Sequence, residues 1–221
     1  MKILQTNFFG DPNIGLFGKC SDSICLLGNF FSEKYNKRIE DVLKTDVLPL
    51  TIANTYLIGI FCCLNSKGIV LPKIVESWEL KKIKEIGLNV EILKTKFTAL
   101  GNLILCNDKG AIISKILKKT DKKRIEDCLG VEAAYSTIAS MSNIGSCGVA
   151  TNSGCLVHRD ANDSEIKKIQ DIVKVNVDVG TANFGSPFVG SCLLANSKGA
   201  VIGRSSTGPE VNRMMETLGY L

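Results

Sequence analysis

The order of apolar and polar residues along this chain of 221 repeats itself five times. A short apolar run carrying one glycine recurs as Asn13-Ile14-Gly15, Leu57-Ile58-Gly59, Ala99-Leu100-Gly101, Asn143-Ile144-Gly145 and Phe188-Val189-Gly190, with glycine spacings of 44, 42, 44 and 45. A turn marker follows each run: Ser21-Asp22-Ser23, Asn65-Ser66-Lys67-Gly68, Asn107-Asp108-Lys109-Gly110, Asn152-Ser153-Gly154 and Asn196-Ser197-Lys198-Gly199. Its spacing is 45, 42, 44 and 45. Two independent markers on one period define a repeat.

Each repeat predicts the same elements. Ile60 to Leu64, Asn-Ser-Lys-Gly and Ile69 to Leu71 read as a β-hairpin, the Asn and Gly supplying the turn. The strands are continuous apolar runs, which places both faces in the interior. An amphipathic helix comes next. Its stripes are Ile39, Val42 and Leu43; Leu80, Ile83 and Ile86; Ile125, Cys128 and Leu129; Ile166, Ile169, Ile172 and Val173; and Val211, Met215 and Leu218. Thr207-Gly208-Pro209-Glu210 has capping-box spacing and starts the last helix. Short strands follow the first four helices, at 47–50, 90–93, 131–134 and 175–179. The fifth helix has none after it, and Lys2 to Thr6 is the candidate to close the series. The expected fold is α/β: a fivefold pseudosymmetric ring of strand–strand–helix–strand units sealed by the N-terminal strand. It is expected as one domain over 1–221, with units at about 13–55, 56–98, 99–142, 143–187, and 188–221 plus 1–9.

Composition narrows the chemistry. A hydrophobic fraction of 45% and a charged fraction of 22% suit an ordinary folded core. Nine cysteines include no Cys-x-x-Cys pair, and one histidine, His158, cannot complete a zinc set. Neither disulfides, metal nor cofactor is therefore expected, and the cysteines read as small buried apolar residues. No apolar run reaches membrane-spanning length, and no secretory leader opens the chain, so membrane association is not expected. Net charge is +5. The clusters Lys81-Lys82, Lys118-Lys119, Lys122-Lys123-Arg124 and Lys167-Lys168 read as solvated helix faces without interleaved aromatics for nucleobases.

Thr98-Ala99-Leu100-Gly101-Asn102, Cys106-Asn107-Asp108, Gly154-Cys155-Leu156-Val157-His158, Gly180-Thr181-Ala182-Asn183-Phe184-Gly185-Ser186 and Asn13-Ile14-Gly15 carry a resemblance. Almost end to end, the chain is similar to the translation initiation factor 6 family, of the pentein or five-bladed α/β-propeller fold. The resemblance implies a cytoplasmic, monomeric, non-catalytic factor. Such a factor binds the large ribosomal subunit, blocks joining of the small one, takes part in subunit maturation and is removed by a separate release factor. Its contacts would be ribosomal proteins, with rRNA at the edge. The chain ends soon after the fifth helix, which matches the archaeal type. The resemblance places Asn102 and Gly15 on or beneath the functional end; the repeat adds Asn13, Asn54, Asn143 and Asn183 to that rim. The rival within the fold is a guanidino-group-modifying enzyme such as an amidinotransferase or deiminase, which needs a cysteine nucleophile activated by a neighbour; His158 is the one histidine available.

Overall fold

The computed structural model describes residues 2–221; Met1, counted with the N-terminal piece of the fifth unit, lies outside them. Among the described residues, fifteen strands form five three-stranded sheets. In chain order, β1 (Ile3–Thr6) comes first, followed by a 3₁₀ turn (Ile14–Leu16), β2 (Gly18–Cys20), β3 (Cys25–Gly28), α1 (Glu33–Leu43) and β4 (Val47–Leu50). The second unit is α2 (Ile58–Phe61), β5 (Cys63–Leu64), β6 (Gly68–Pro72), α3 (Ser77–Lys84) and β7 (Asn89–Leu93). The third is α4 (Leu100–Leu103), β8 (Ile104–Cys106), β9 (Gly110–Ser114), α5 (Lys119–Leu129) and β10 (Glu132–Ser136). The fourth is α6 (Ile144–Cys147), β11 (Gly148–Ala150), β12 (Gly154–His158), α7 (Asp163–Val173) and β13 (Asn176–Gly180). The fifth is α8 (Val189–Cys192), β14 (Leu193–Ala195), β15 (Ala200–Gly203) and α9 (Gly208–Thr217).

In four sheets the hairpin pairs antiparallel and its second strand pairs parallel with the strand after the helix. The fifth sheet takes that last strand from the N-terminus: β1 runs parallel to β15, with Ile3 opposite Ala200 and Thr6 opposite Gly203. This is the pentein ring, sealed as the repeat count requires. The middle strands β3, β6, β9, β12 and β15 are buried along their whole length, as unbroken apolar runs predict. Core clusters are shared between units: Cys63 and Val70 of the second pack with Ile104, Ile113, Ile125 and Leu129 of the third.

The recurrent glycines do not start strands, as the run Ile60 to Leu64 had implied. They sit in the helical turns that precede β2, β5, β8, β11 and β14, and of the run Ile60 to Leu64 only Cys63–Leu64 is strand. The reason is crowding at the axis. A Cβ on Gly59 would overlap the carbonyl of Gly15, one on Gly101 that of Gly59, and one on Gly145 that of Gly101. One on Gly190 would overlap Gly145, and one on Gly15 would overlap Gly190, so the five turns interlock in a closed cycle. The helix stripes face the core, and in the last the fully buried Met214 joins Val211, Met215 and Leu218.

Two turn markers are corrected as well. Thr151, not Asn152, matches Asn65 and Asn107, because its hydroxyl accepts from Ser153 N and Gly154 N as those amides do from their own turns. In the first hairpin Ser21 does the same, and Ile24 stands where the others have glycine. Glycine is required elsewhere because a long helix ends against it: Gly68 meets Cys128 O and Gly110 meets Ile172 O. The helix facing Ile24 is α3, which stops after eight residues, and Ile24 packs into the cluster that holds Ile83.

Candidate docking surface

The two ends of the ring differ in chemistry. At one end the hairpin turns meet the C-termini of the long helices. Nδ2 of Asn65, Asn107 and Asn196 donates to Leu129 O, Val173 O and Leu43 O at 2.9, 2.8 and 2.9 Å. This turn end closes the axis with one polar residue per unit: Asp22, Ser66, Asp108, Asn152 and Ser197. Asn152 Nδ2 donates to both carboxylates, Asp22 Oδ2 at 2.7 Å and Asp108 Oδ2 at 2.6 Å, bridging the channel. Ser66 N donates to Asp108 Oδ1 at 2.7 Å and Ser197 N to Asp22 Oδ1 at 2.8 Å. The cavities beside this plug measure about 20 and 30 Å³. They have room for a water or two and not for a substrate.

At the other end lie the loops after β1, β4, β7, β10 and β13 and the N-termini of the long helices. A carboxylate in the first turn of three helices ties loop to helix. Glu79 accepts from Thr51 Oγ1 at 2.6 Å, Ala53 N at 2.8 Å, Asn54 N at 2.9 Å and Glu76 N at 2.9 Å. Glu165 takes Thr137 Oγ1, Ala139 N, Ser140 N and Asn162 N at 2.6 to 3.2 Å. Glu210 takes Thr181 Oγ1, Phe184 N, Gly185 N and Thr207 N, the last being the cap expected from Thr207-Gly208-Pro209-Glu210. Burial alone would raise these carboxyls. The converging donors outweigh it and hold all three below the ordinary glutamate value. The threonines form a third repeat marker, at 6, 51, 95, 137 and 181, that the apolar pattern does not reveal. In the first unit Tyr35 replaces the acid and its hydroxyl meets that of Thr6.

These tight loops carry the molecule's exposed apolar surface. Among the described residues, eight large apolar side chains are exposed, and Leu221 is the one away from this end. The other seven are Phe9, Tyr56, Ile74, Trp78, Ile116, Phe184 and Phe188. Phe9 and Phe184 are 78% and 80% exposed, and both stand at positive φ, +52° and +63°. A phenylalanine there forgoes burial and takes a backbone conformation that costs about 1–2 kcal/mol. Folding alone gives no reason to keep it. Phe9 continues into a chain of rings through Phe30, Phe31, Phe17 and Tyr56.

The six residues expected at a binding rim all lie at or near the loop end, in several different positions. Asn13 and Asn143 precede the helical turns; Asn13 donates to Asp11 Oδ1 at 2.9 Å and Asn143 to Ser146 Oγ at 2.9 Å. Asn54 (φ +58°) and Asn183 (φ +50°) are in loop tips. Asn183 Nδ2 donates to Pro12 O at 2.8 Å and lies 3.4 Å from Asn13 Oδ1, joining the fifth unit to the first. Asn102 is inside α4, half-buried; its backbone N–H donates to Ala99 O, and among the described residues its side-chain amide makes no hydrogen bond. Gly15 is buried in the axial cycle. Sequence reasoning missed the exposed aromatics, whose exposure depends on which loops share an end.

Among the described residues, no cysteine is a hydrogen-bond partner of His158. The ring is buried, accepts from Asp160 N through Nδ1 at 3.1 Å and packs against Phe188. Burial lowers its affinity for a proton despite the nearby Asp160 carboxylate. Burial pushes the Cys62 and Cys155 thiols up to about 12, and Cys128 and Cys147 to about 11. Cys63 is lowered by its contact with Cys106, 3.0 Å away, not by a base. Among the described residues no helix is long and apolar enough to cross a membrane.

Comparison with known proteins identifies the family. The family model described as the eIF-6 family matches residues 3–217. Relatives named translation initiation factor 6 include one from Methanocaldococcus jannaschii, 44% identical over 226 residues covering 99% of each chain. Others are from Pyrococcus abyssi, 42% identical over the whole of both chains, and Pyrobaculum aerophilum, 37% identical over 98% of this chain and 99% of its own. With sheets, ring closure and full-length similarity in accord, the chain belongs to the eIF-6 family.

Proposed function

We propose that the protein is a translation initiation factor that docks its loop end on the large ribosomal subunit and so keeps the small subunit from joining. The observation that carries the reading is the gathering of seven exposed large apolar side chains at one end of the ring, two of them phenylalanines at positive φ. Exposed apolar patches of this kind mark protein interfaces. The relatives' shared name supplies the process.

The mechanism is steric. A ring about 40 to 50 Å across, by the scaling of compact domains, excludes a competitor whose footprint overlaps its own. About 800 Å² of contact per partner suffices. The sequence holds no Gly-x-x-x-x-Gly-Lys-Ser/Thr loop, so removal falls to a separate factor. The reading places the protein in the cytoplasm as a monomer, with no catalytic step. The raised thiols and the backbone-bonded His158 weigh against a guanidino-modifying enzyme.

Light scattering of mixed subunits tests the proposal. Adding the protein should lower the signal of joined subunits, and sedimentation should find it on the large subunit. Scattering that does not change, or recovery on the small subunit, overturns the reading.

A further inference from the structure

The surplus of positive charge is concentrated in one stretch. Residues 94–124 hold nine Lys or Arg against two Asp, a surplus of seven that exceeds the +5 of the whole chain. The fold brings several of them to the loop end of the third unit, around a groove of about 540 Å³ between the 94–98 loop and the start of α5. Lys94, Lys96, Lys118 and Arg124 line it, together with Phe97. Asp121 also lines it, but that residue is buried and its Oδ2 accepts from Lys118 N at 3.1 Å, so its carboxylate serves the helix cap. Arg124 shares its charge with Glu91 at 2.6 Å. Among the described residues, Lys94, Lys96 and Lys118 are exposed and in no ion pair. Lys96 Nζ stands 5.2 Å from the centre of the half-buried Phe97 ring.

We propose that this groove holds the phosphodiester backbone of an RNA strand. The proposal rests on the ribosomal reading and names the chemistry of one part of that partner. Unpaired lysines facing an open groove favour a polyanion, since each phosphate they neutralise releases a counterion. The positive charge continues along α5 through the exposed Lys119 and Lys123, so an extended ligand suits it better than a single anion. Phe97 supplies what the sequence pattern lacked: an aromatic face among cations, on which a base can stack. Thr95 and Thr120 add hydroxyl donors at the same opening.

The test is fluorescence anisotropy of the full chain with a labelled 12-nucleotide uridylate RNA, titrated from 50 to 200 mM salt. Wild type should bind and weaken steeply as salt rises. K96E/K118E should lose about tenfold or more, with a salt slope shallower by about 1.4, two single-strand phosphate contacts. K34E/K37E makes the same charge change on α1, outside the groove, and should bind as wild type. F97L should weaken binding with the slope unchanged. Equal weakening in both double variants overturns the proposal. So does an oligoglutamate that competes as well as the RNA, which would assign the groove to an acidic peptide. Co-sedimentation with large subunits, run in parallel, keeps the two readings apart. RNA binding without subunit binding strikes the docking function and leaves the groove, while subunit binding without RNA binding overturns the groove alone.

Discussion

At the scale of single residues, the loop end separates side chains that build from those that face outward. Phe184 is of the second kind: exposed, at positive φ, with its backbone N–H held by Glu210 and its ring left in solvent. Asparagine tolerates that conformation better. Phe184→Asn should therefore leave the melting temperature unchanged or raise stability by up to about 1 kcal/mol. An aromatic anchor lost from the centre of an interface costs about 2 kcal/mol, so large-subunit affinity should fall roughly 30-fold. Calorimetry and co-sedimentation read the two effects separately. Asn102 makes the same distinction by another route. Its side-chain amide has no hydrogen-bond partner among the described residues, so Asn102→Lys should shift stability by less than about 0.5 kcal/mol. A bound fraction that drops while the fold holds marks Asn102 as a contact; a fall in stability alone would mark it as structural. Sequence spacing made Asn102 equivalent to Asn13, Asn54, Asn143 and Asn183, yet they occupy several different positions in the fold. A shared residue type near a shared marker does not fix a shared φ.

Among elements, the loop-to-helix ties decide how firmly the docking end is held. Glu79, Glu165 and Glu210 are held below the ordinary value of 4.5 by donors that favour the charged form. A depressed folded value contributes stability above the unfolded one, and that contribution is lost as pH falls through the folded values. Urea midpoints should therefore hold from this source above about pH 5 and fall below about pH 4. Glu165→Gln should cost about 1–3 kcal/mol at pH 7, because its amide cannot accept from all four donors. It should also make the acid limb shallower; an unaltered limb would mean that the tie is not formed. The stripes on the helices, the hairpin turns and the closing strand were legible, since each has a local signature of period or turn chemistry. The helical turns around the axis were not. A four-residue turn has too few positions for its period to show, and what forces it is the carbonyl of the neighbouring unit opposite each glycine. The threonine–glutamate ties hid for a similar reason, because 28 residues separate Thr51 from Glu79.

For the whole molecule, we propose that closure is what makes five units one cooperative body. Each core cluster mixes residues of neighbouring units, and no unit covers its own apolar strands. The last sheet borrows β1, whose Leu4 is buried with Leu27, Ile39 and Val201. Lys2 Nζ also donates to Tyr220 O at 2.9 Å, and Gln5 Nε2 to Ser206 O at 3.0 Å. Removing residues 1–6 strips a parallel strand from β15 and leaves its N–H and C=O groups as an open edge. One buried leucine contributes about 1.5–3 kcal/mol, and the lost strand bonds add to that, against a total stability of about 5–15 kcal/mol. The deletion should therefore take away most of the stability of the entire chain. If the chain is one cooperative domain, as we propose, calorimetry will show a single transition before and after truncation, the second far lower and partly restored by a peptide of residues 1–9. If the units were independent, a low-melting fifth sheet would separate from four unchanged ones, and the rigid annulus on which steric exclusion depends would be lost with it.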